Sequence, residues 1–198
     1  FKVGQSKSEV REDFNLPQDK KIILYTGHLY KWKGPQVLAD ATRCLGDNIF
    51  TVFVGGTERG VADFKNNNKE KSNIRIIGYR PHKEIPFFLK SADVLILPNS
   101  AQSNVSKYYT SPMKLFEYMA SSIPIIASDL PSIREVLNES NAVLVEPDNP
   151  EKLAEGINKA LNDSDLADNI SKQAYEDVMQ YTWNKRVVTI LNYIFPTK

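Results

Sequence analysis

The sequence predicts an α/β protein: a doubly wound parallel sheet of six strands, helices on both faces, and a helical C-terminal tail. Two observations carry that prediction. Short apolar runs recur up to Val145, and they are continuous rather than alternating, as in strands buried on both faces. Between them lie polar segments whose apolar residues fall one helical turn apart, the pattern of helices laid across a sheet.

Residues 1–20 are polar, with Pro17 near their end, and are expected to drape over the surface. Lys21-Ile22-Ile23-Leu24-Tyr25-Thr26 reads as the first strand, ended by Gly27. His28-Leu29-Tyr30-Lys31-Trp32-Lys33-Gly34 is a loop, and Pro35 opens a helix through about Leu45 that puts Cys44 on an apolar face as a buried thiol. Residues 48–54 form the second strand, stopped by Gly55-Gly56. A polar helix follows over 59–70, then the third strand over 74–78. Arg80-Pro81-His82-Lys83-Glu84 leads into a helix with Ile85, Phe88 and Leu89 on one face. Residues 93–98 are the fourth strand, and 99–110 a polar loop longer than such connections usually are. A helix over 111–121 and a strand over 123–127 come next. Asp129 caps a helix with Pro131 in its first turn, running to about Leu137, and 142–145 is the sixth strand. Helices over 150–161, 165–180 and 183–194 complete the chain. The last carries Trp183, Val187, Ile190, Leu191 and Ile194 at helical spacing, a strip left exposed or paired with another copy.

Right-handed crossovers place all strand C-termini along one edge. Ligands of such Rossmann-like sheets bind at that edge, near the switch in strand order. Four loops should therefore converge there: 27–34, 78–80, 99–109 and 111–117.

The last of these is the most informative. Ser111 is a good N-cap, and Pro112 suits the first helical position, where a missing N–H costs nothing. Leu115 and Met119 then face the core. The free amides of the first turn, aligned peptide dipoles and Lys114 make an anion site suited to a phosphate. Glu117, one turn deeper, is placed to accept hydrogen bonds from sugar hydroxyls.

Composition narrows the remaining classes. Basic residues number 25 and acidic ones 24, so no net field draws the chain to nucleic acid or anionic lipid. A single cysteine, Cys44, excludes an internal disulfide and a cysteine-built metal site. Two histidines, His28 and His82, are poor material for a histidine-based one. Asp163-Ser164-Asp165 has a metal-binding form but joins two predicted helices, where aspartates serve as caps. No apolar run has membrane-spanning length and no signal peptide is evident. The chain opens on Phe1 rather than Met and reads as part of something longer.

Several segments together resemble a known family. They are Gly27-His28-Leu29 with Lys33-Gly34, Gly78-Tyr79-Arg80, Ser91-Ala92-Asp93-Val94 with Leu97-Pro98, and Glu117-Tyr118-Met119-Ala120 with Pro124-Ile125-Ile126-Ala127-Ser128-Asp129. In order and spacing they resemble the donor-binding half of the family 4 retaining glycosyltransferases. The resemblance runs from about residue 20 to 195. It implies the GT-B fold, two Rossmann-like domains facing across a cleft, with residues 1–198 as the single C-terminal domain and the N-terminal acceptor domain absent. The implied substrate is a UDP- or GDP-linked sugar, with no cofactor and no metal. The implied acceptor is a glycan or glycolipid, in polysaccharide or glycolipid biosynthesis. The implied location is cytoplasmic, with peripheral association at the inner membrane face.

The resemblance also assigns roles. Lys33 contacts the donor diphosphate, Gly27 and His28 flank it, and the amides of Met113 and Lys114, in the segment from Ser111 and Pro112, meet the diphosphate or the sugar. Tyr79 and Arg80 hold the base, and Glu117 holds the ribose. The catalytic roles fall to Lys33 and Glu117, and the isolated chain is expected to bind donor without turning it over. Two positions depart from the family pattern. His28 stands where arginine is usual, so that residue's permanent charge is absent. Tyr109 stands where a first glutamate touches the transferred sugar, which bears on sugar recognition more than on nucleotide binding. Two further readings stay open: a nucleotide-sugar epimerase of the same fold, and a non-catalytic nucleotide-binding or scaffolding module. Arg80 also has Glu84 as a surface partner within reach. Tyr30, Trp32, Tyr108 and Tyr109 suit either stacking on a ligand or covering an interface.

Overall fold

The computed structural model describes residues 3–195. Strands β1 (Lys21–Thr26), β2 (Ile49–Val54), β3 (Ile74–Ile77), β4 (Val94–Leu97), β5 (Ile125–Ser128) and β6 (Val143–Val145) form one sheet. All the pairings are parallel, and the order is β3-β2-β1-β4-β5-β6. This is the Rossmann-like, doubly wound sheet that the sequence predicts. The winding reverses between β1 and β4, which opens a crevice beyond their C-terminal ends.

The helices are α1 (Lys7–Asp13), α2 (Pro35–Ala41), α3 (Glu58–Asn67), α4 (Ile85–Ser91), α5 (Met113–Ala120), α6 (Pro131–Arg134), α7 (Pro150–Asn162), α8 (Ser164–Val178) and α9 (Trp183–Ile194). Alternation along β1 divides the core. Ile22 and Leu24 pack with Phe88 and Leu89 of α4 and Leu115 and Met119 of α5. Ile23 and Tyr25 pack with Leu38 of α2, Phe64 of α3 and Ile157 of α7. Each buried side chain of this size contributes about 1.5–3 kcal/mol, so both helical layers are needed to hold the sheet.

Several boundaries differ from expectation, each for a local reason. Described residues of the 1–20 segment do not drape over the surface; residues 1 and 2 lie outside the described range. Ser6 and Glu9 form a reciprocal capping box that starts α1. Arg11 of α1 is buried, donating to Ser91 O at 2.9 Å, Lys20 O at 3.1 Å and Asp93 Oδ2 at 2.7 Å. Burial pushes the Asp93 carboxyl up, but the Ile22 amide, Lys7 and Arg11 outweigh it and hold the group below its ordinary value.

Cys44 is exposed, because α2 gives way after Ala41 to a tight turn over Thr42–Cys44. Strand β5 starts at Ile125 rather than at 123, since Pro124 has no N–H for the ladder; its carbonyl still accepts from Leu95 N at 2.9 Å. Asp129 caps nothing: Leu130 occupies the cap of the short α6, and Asp129 pairs with Arg134. Asp163 does act as the cap of α8, accepting from Leu166 N at 2.9 Å. Helix α9 is exposed along its described length, so its apolar strip has no partner among the described residues.

Candidate functional site

The site is built where β1 and β4 part. At the end of β1, Thr26 N donates to Tyr118 Oη of α5 at 2.8 Å, which ties helix to strand across the switch point. Gly27 follows with φ +123°, a conformation closed to most side chains. The loop then turns over residues 31–33 and closes at Gly34, φ +69°, where a Cβ would lie 1.7 Å from Pro98 O. Only glycine allows this loop to sit against the end of β4. Ser100 N donates to Trp32 O at 3.0 Å and fixes it there.

Beneath Gly27 lies Lys114, from the first turn of α5. Its Nζ is 3.8 Å from the centroid of the Tyr25 ring and 4.0 Å from where a Gly27 Cβ would stand. Although Lys114 as a residue is half-buried, Nζ itself meets no solvent and has no hydrogen-bond partner among the described residues. Burial holds this ammonium's pKa well below the usual lysine value; nearby Lys33 lowers it further and Glu117 opposes the shift. Lys33 is half-buried, its Nζ 5.1 Å from the Trp32 ring and 5.9 Å from Tyr30, and desolvation lowers its pKa too. Two lysine ammoniums thus lie close enough to repel, and among the described residues neither is salt-bridged to a carboxylate. Such a pair is poised for a polyanion, since charge-assisted bonds satisfy both at once.

Glu117 completes the wall. Its side chain is 18% exposed, and Oε1 lies 2.8 Å from Nε2 of His82, on the turn that precedes α4. Nothing in the sequence flagged His82, because a contact spanning 35 positions leaves no local signal. Tyr79, Arg80 and His82 line a cleft of about 230 Å³ together with Gly27, His28 and Gly56. Tyr79 is exposed, and Arg80 has Glu84 3.8 Å away. His28 is exposed and stacks on Tyr30 at 4.9 Å.

Ser111 does not cap α5. Pro112 occupies the cap position, one residue earlier in the helix frame than expected, and no side chain satisfies the first amides. Pro112 O takes Leu115 N at 3.0 Å; the amides of Met113 and Lys114 head the helix, where backbone N–H groups lack intrahelical partners. Tyr109 closes a one-turn π-helix over Val105–Tyr109 and is 79% exposed. Ser111, Met113 and Glu117 also line a groove of about 740 Å³ that runs to Tyr181, Trp183 and Arg186. Among the described residues, no three His, Cys, Asp or Glu side chains converge to hold a metal, and no helix is long and apolar enough to cross a membrane.

The sequence profile described as Glycosyl transferases group 1 matches residues 6–177. The chain belongs to that family. Its relatives within the family include TuaC of Bacillus subtilis (strain 168), named for teichuronic acid biosynthesis, at 26% identity over 174 residues, or 88% of this chain and 41% of that one. A D-inositol 3-phosphate glycosyltransferase of Corynebacterium glutamicum (strain R) is 24% identical, covering 87% of this chain and 43% of that one. The chain therefore spans about half the length of the curated relatives it matches. Among solved structures, Anabaena HepE in complex with UDP and glucose superposes with a TM-score of 0.82 at 19% identity, over 97% of this chain and 53% of that one. The C-terminal domain of LpcC from Francisella tularensis, a group 1 family protein, gives 0.75 at 22% identity over 92% and 96%. At these identities the structural likeness speaks for the fold alone. This family member thus has the fold of a C-terminal GT-B domain, as its motifs imply.

Proposed function

We propose that this chain binds a nucleotide-diphosphate sugar and serves as the donor half of a two-domain retaining glycosyltransferase. The observation that carries the reading is the Lys114 ammonium, sealed from solvent without a partner, beside Lys33 and the uncapped amides of α5. A leaving diphosphate gains negative charge as the glycosidic bond breaks, and preorganised donors aimed at that charge lower the barrier. Lys33, Lys114 and the amides of Met113 and Lys114 take this role. The base lies in the cleft at Tyr79 and Arg80, and Glu117 accepts from the ribose hydroxyls. UDP, as in the HepE complex, is the first candidate nucleotide, with GDP beside it. The acceptor, a glycan or glycolipid, is held by a second domain outside residues 1–198, at the cytoplasmic face of a membrane. Donor binding without turnover is then the property of this chain by itself.

The test is calorimetric titration of the chain with uridine, guanosine and adenosine diphosphates and their sugar conjugates. One base is expected to bind selectively, and Glu117→Ala to weaken it about tenfold, the loss of one hydrogen bond to a charged group. Equal affinity of Glu117→Ala and parent would remove Glu117 from the ribose site.

A further inference from the structure

We propose that His82 is a positioning residue for Glu117: it fixes the carboxylate through Oε1, so that Oε2 is presented to the ribose hydroxyls of a bound nucleotide. This rests on the donor-site reading above and names a device within it. His82 Nε2 and Glu117 Oε1 are 2.8 Å apart, joining the turn before α4 to the second turn of α5. A carboxylate only accepts, so the shared hydrogen sits on Nε2. One acceptor site of Oε1 is thereby used and its direction fixed, while Oε2 keeps both of its lone pairs.

The pair is badly placed to be a stabilising device. The His82 side chain is 74% exposed, and polar side-chain pairs at that exposure contribute little to folding. It is well placed for recognition. His82 lies on the rim of the cleft bounded by Tyr79, Arg80 and Gly27, and Glu117 lies in the second turn of α5, close enough to Lys114 to act on its charge. The His82–Glu117 pair therefore joins the rim of that cleft to the surroundings of the Lys114 ammonium. A nucleotide with its base in that cleft and its diphosphate on the cations would lay its sugar along this pair. The terminal torsion of a glutamate is broad, so an untethered carboxylate would sample many orientations. A vicinal diol is recognised best by an oxygen whose direction is fixed in advance.

The experiment compares uridine and guanosine diphosphates with their 2′- and 3′-deoxy counterparts by calorimetric titration of the parent chain, His82→Ala, His82→Gln and Glu117→Ala. The parent is expected to prefer the ribose form by about tenfold, one hydrogen bond to a charged group. His82→Ala should shrink that preference to about twofold with an unchanged melting temperature. His82→Gln, whose amide still donates, should restore most of it. A parental preference retained in His82→Ala overturns the positioning role alone. A preference retained in Glu117→Ala overturns the ribose role of Glu117, and no nucleotide binding by the parent chain overturns the donor site and this inference with it.

Discussion

Lys33→Ala is expected to weaken nucleoside diphosphate binding by well over tenfold while leaving the fold intact. Among the described residues the Lys33 ammonium has no carboxylate partner; its neighbours are the Trp32 and Tyr30 rings and, further in, the like charge of Lys114. Its pKa is already lowered by desolvation, so the empty site holds it at a disadvantage that a diphosphate relieves. Hydrogen bonds to charged groups contribute about 1.5–3 kcal/mol each, and about 1.4 kcal/mol is a factor of ten in affinity. The dipole of α5 adds only about 0.3–1 kcal/mol, too little to compensate. Contact with aromatic faces is worth a similar fraction, and the rings themselves remain when the lysine goes. The measurement is the dissociation constant for UDP, GDP and ADP beside the thermal midpoint. An unchanged constant removes Lys33 from the site, and a collapsed midpoint would make it a structural residue instead.

What the sequence made legible follows from how local each signal is. Continuous apolar runs such as 22–26 and 94–97 mark strands buried on both faces, and their alternation with helical segments points to a parallel sheet between two helical layers. Gly27, Lys33 and Glu117 could be assigned to one edge because topology sends every strand C-terminus there. Other features were written in the chain but easy to pass over. Ser6 and Glu9 have the spacing of a capping box, hidden in a segment that looks too polar to fold. Its helix is held by Arg11, whose buried guanidinium reaches Asp93 across 82 positions. The start of α5 was misplaced by one residue because both Ser111 and Pro112 are good helix openers, and the extended backbone at Pro112 decides for a cap without a side-chain bond. That small shift has a chemical result. With no hydroxyl on the first amides, they remain free for a ligand. The His82 contact and the direction of Lys114 depend on how helices pack, which no single segment encodes.

Lys114→Met is expected to stabilise the chain and to abolish diphosphate binding, two effects of opposite sign on one side chain. Among the described residues the Nζ of Lys114 has neither a hydrogen-bond partner nor solvent, and the face of Tyr25 and the charge of Glu117 only partly offset its burial. An unsatisfied buried group costs about 1–3 kcal/mol, and more when charged, whereas methionine fills a similar volume without a polar atom. A gain in folding stability of at least ~1 kcal/mol at neutral pH should follow, read as a higher urea midpoint.

The pH dependence gives the sign independently. The folded pKa of Lys114 is depressed well below 10.5, chiefly by desolvation, while the unfolded chain keeps the ordinary value. Below the folded value the group is charged in both states, and the burial penalty is fully present. As pH rises from there toward 10.5, the folded chain sheds its proton first, the unfolded chain holds more protons, and the parent gains stability. The advantage of Lys114→Met should therefore narrow as pH climbs through that window. Binding should move the other way, because a diphosphate favours the charged lysine, so the parent's affinity weakens with rising pH while the methionine variant stays inert. A variant less stable than the parent at neutral pH would mean that Lys114 is a structural residue. One that still bound diphosphate at parental affinity would take Lys114 out of the site and leave the buried cation without a function.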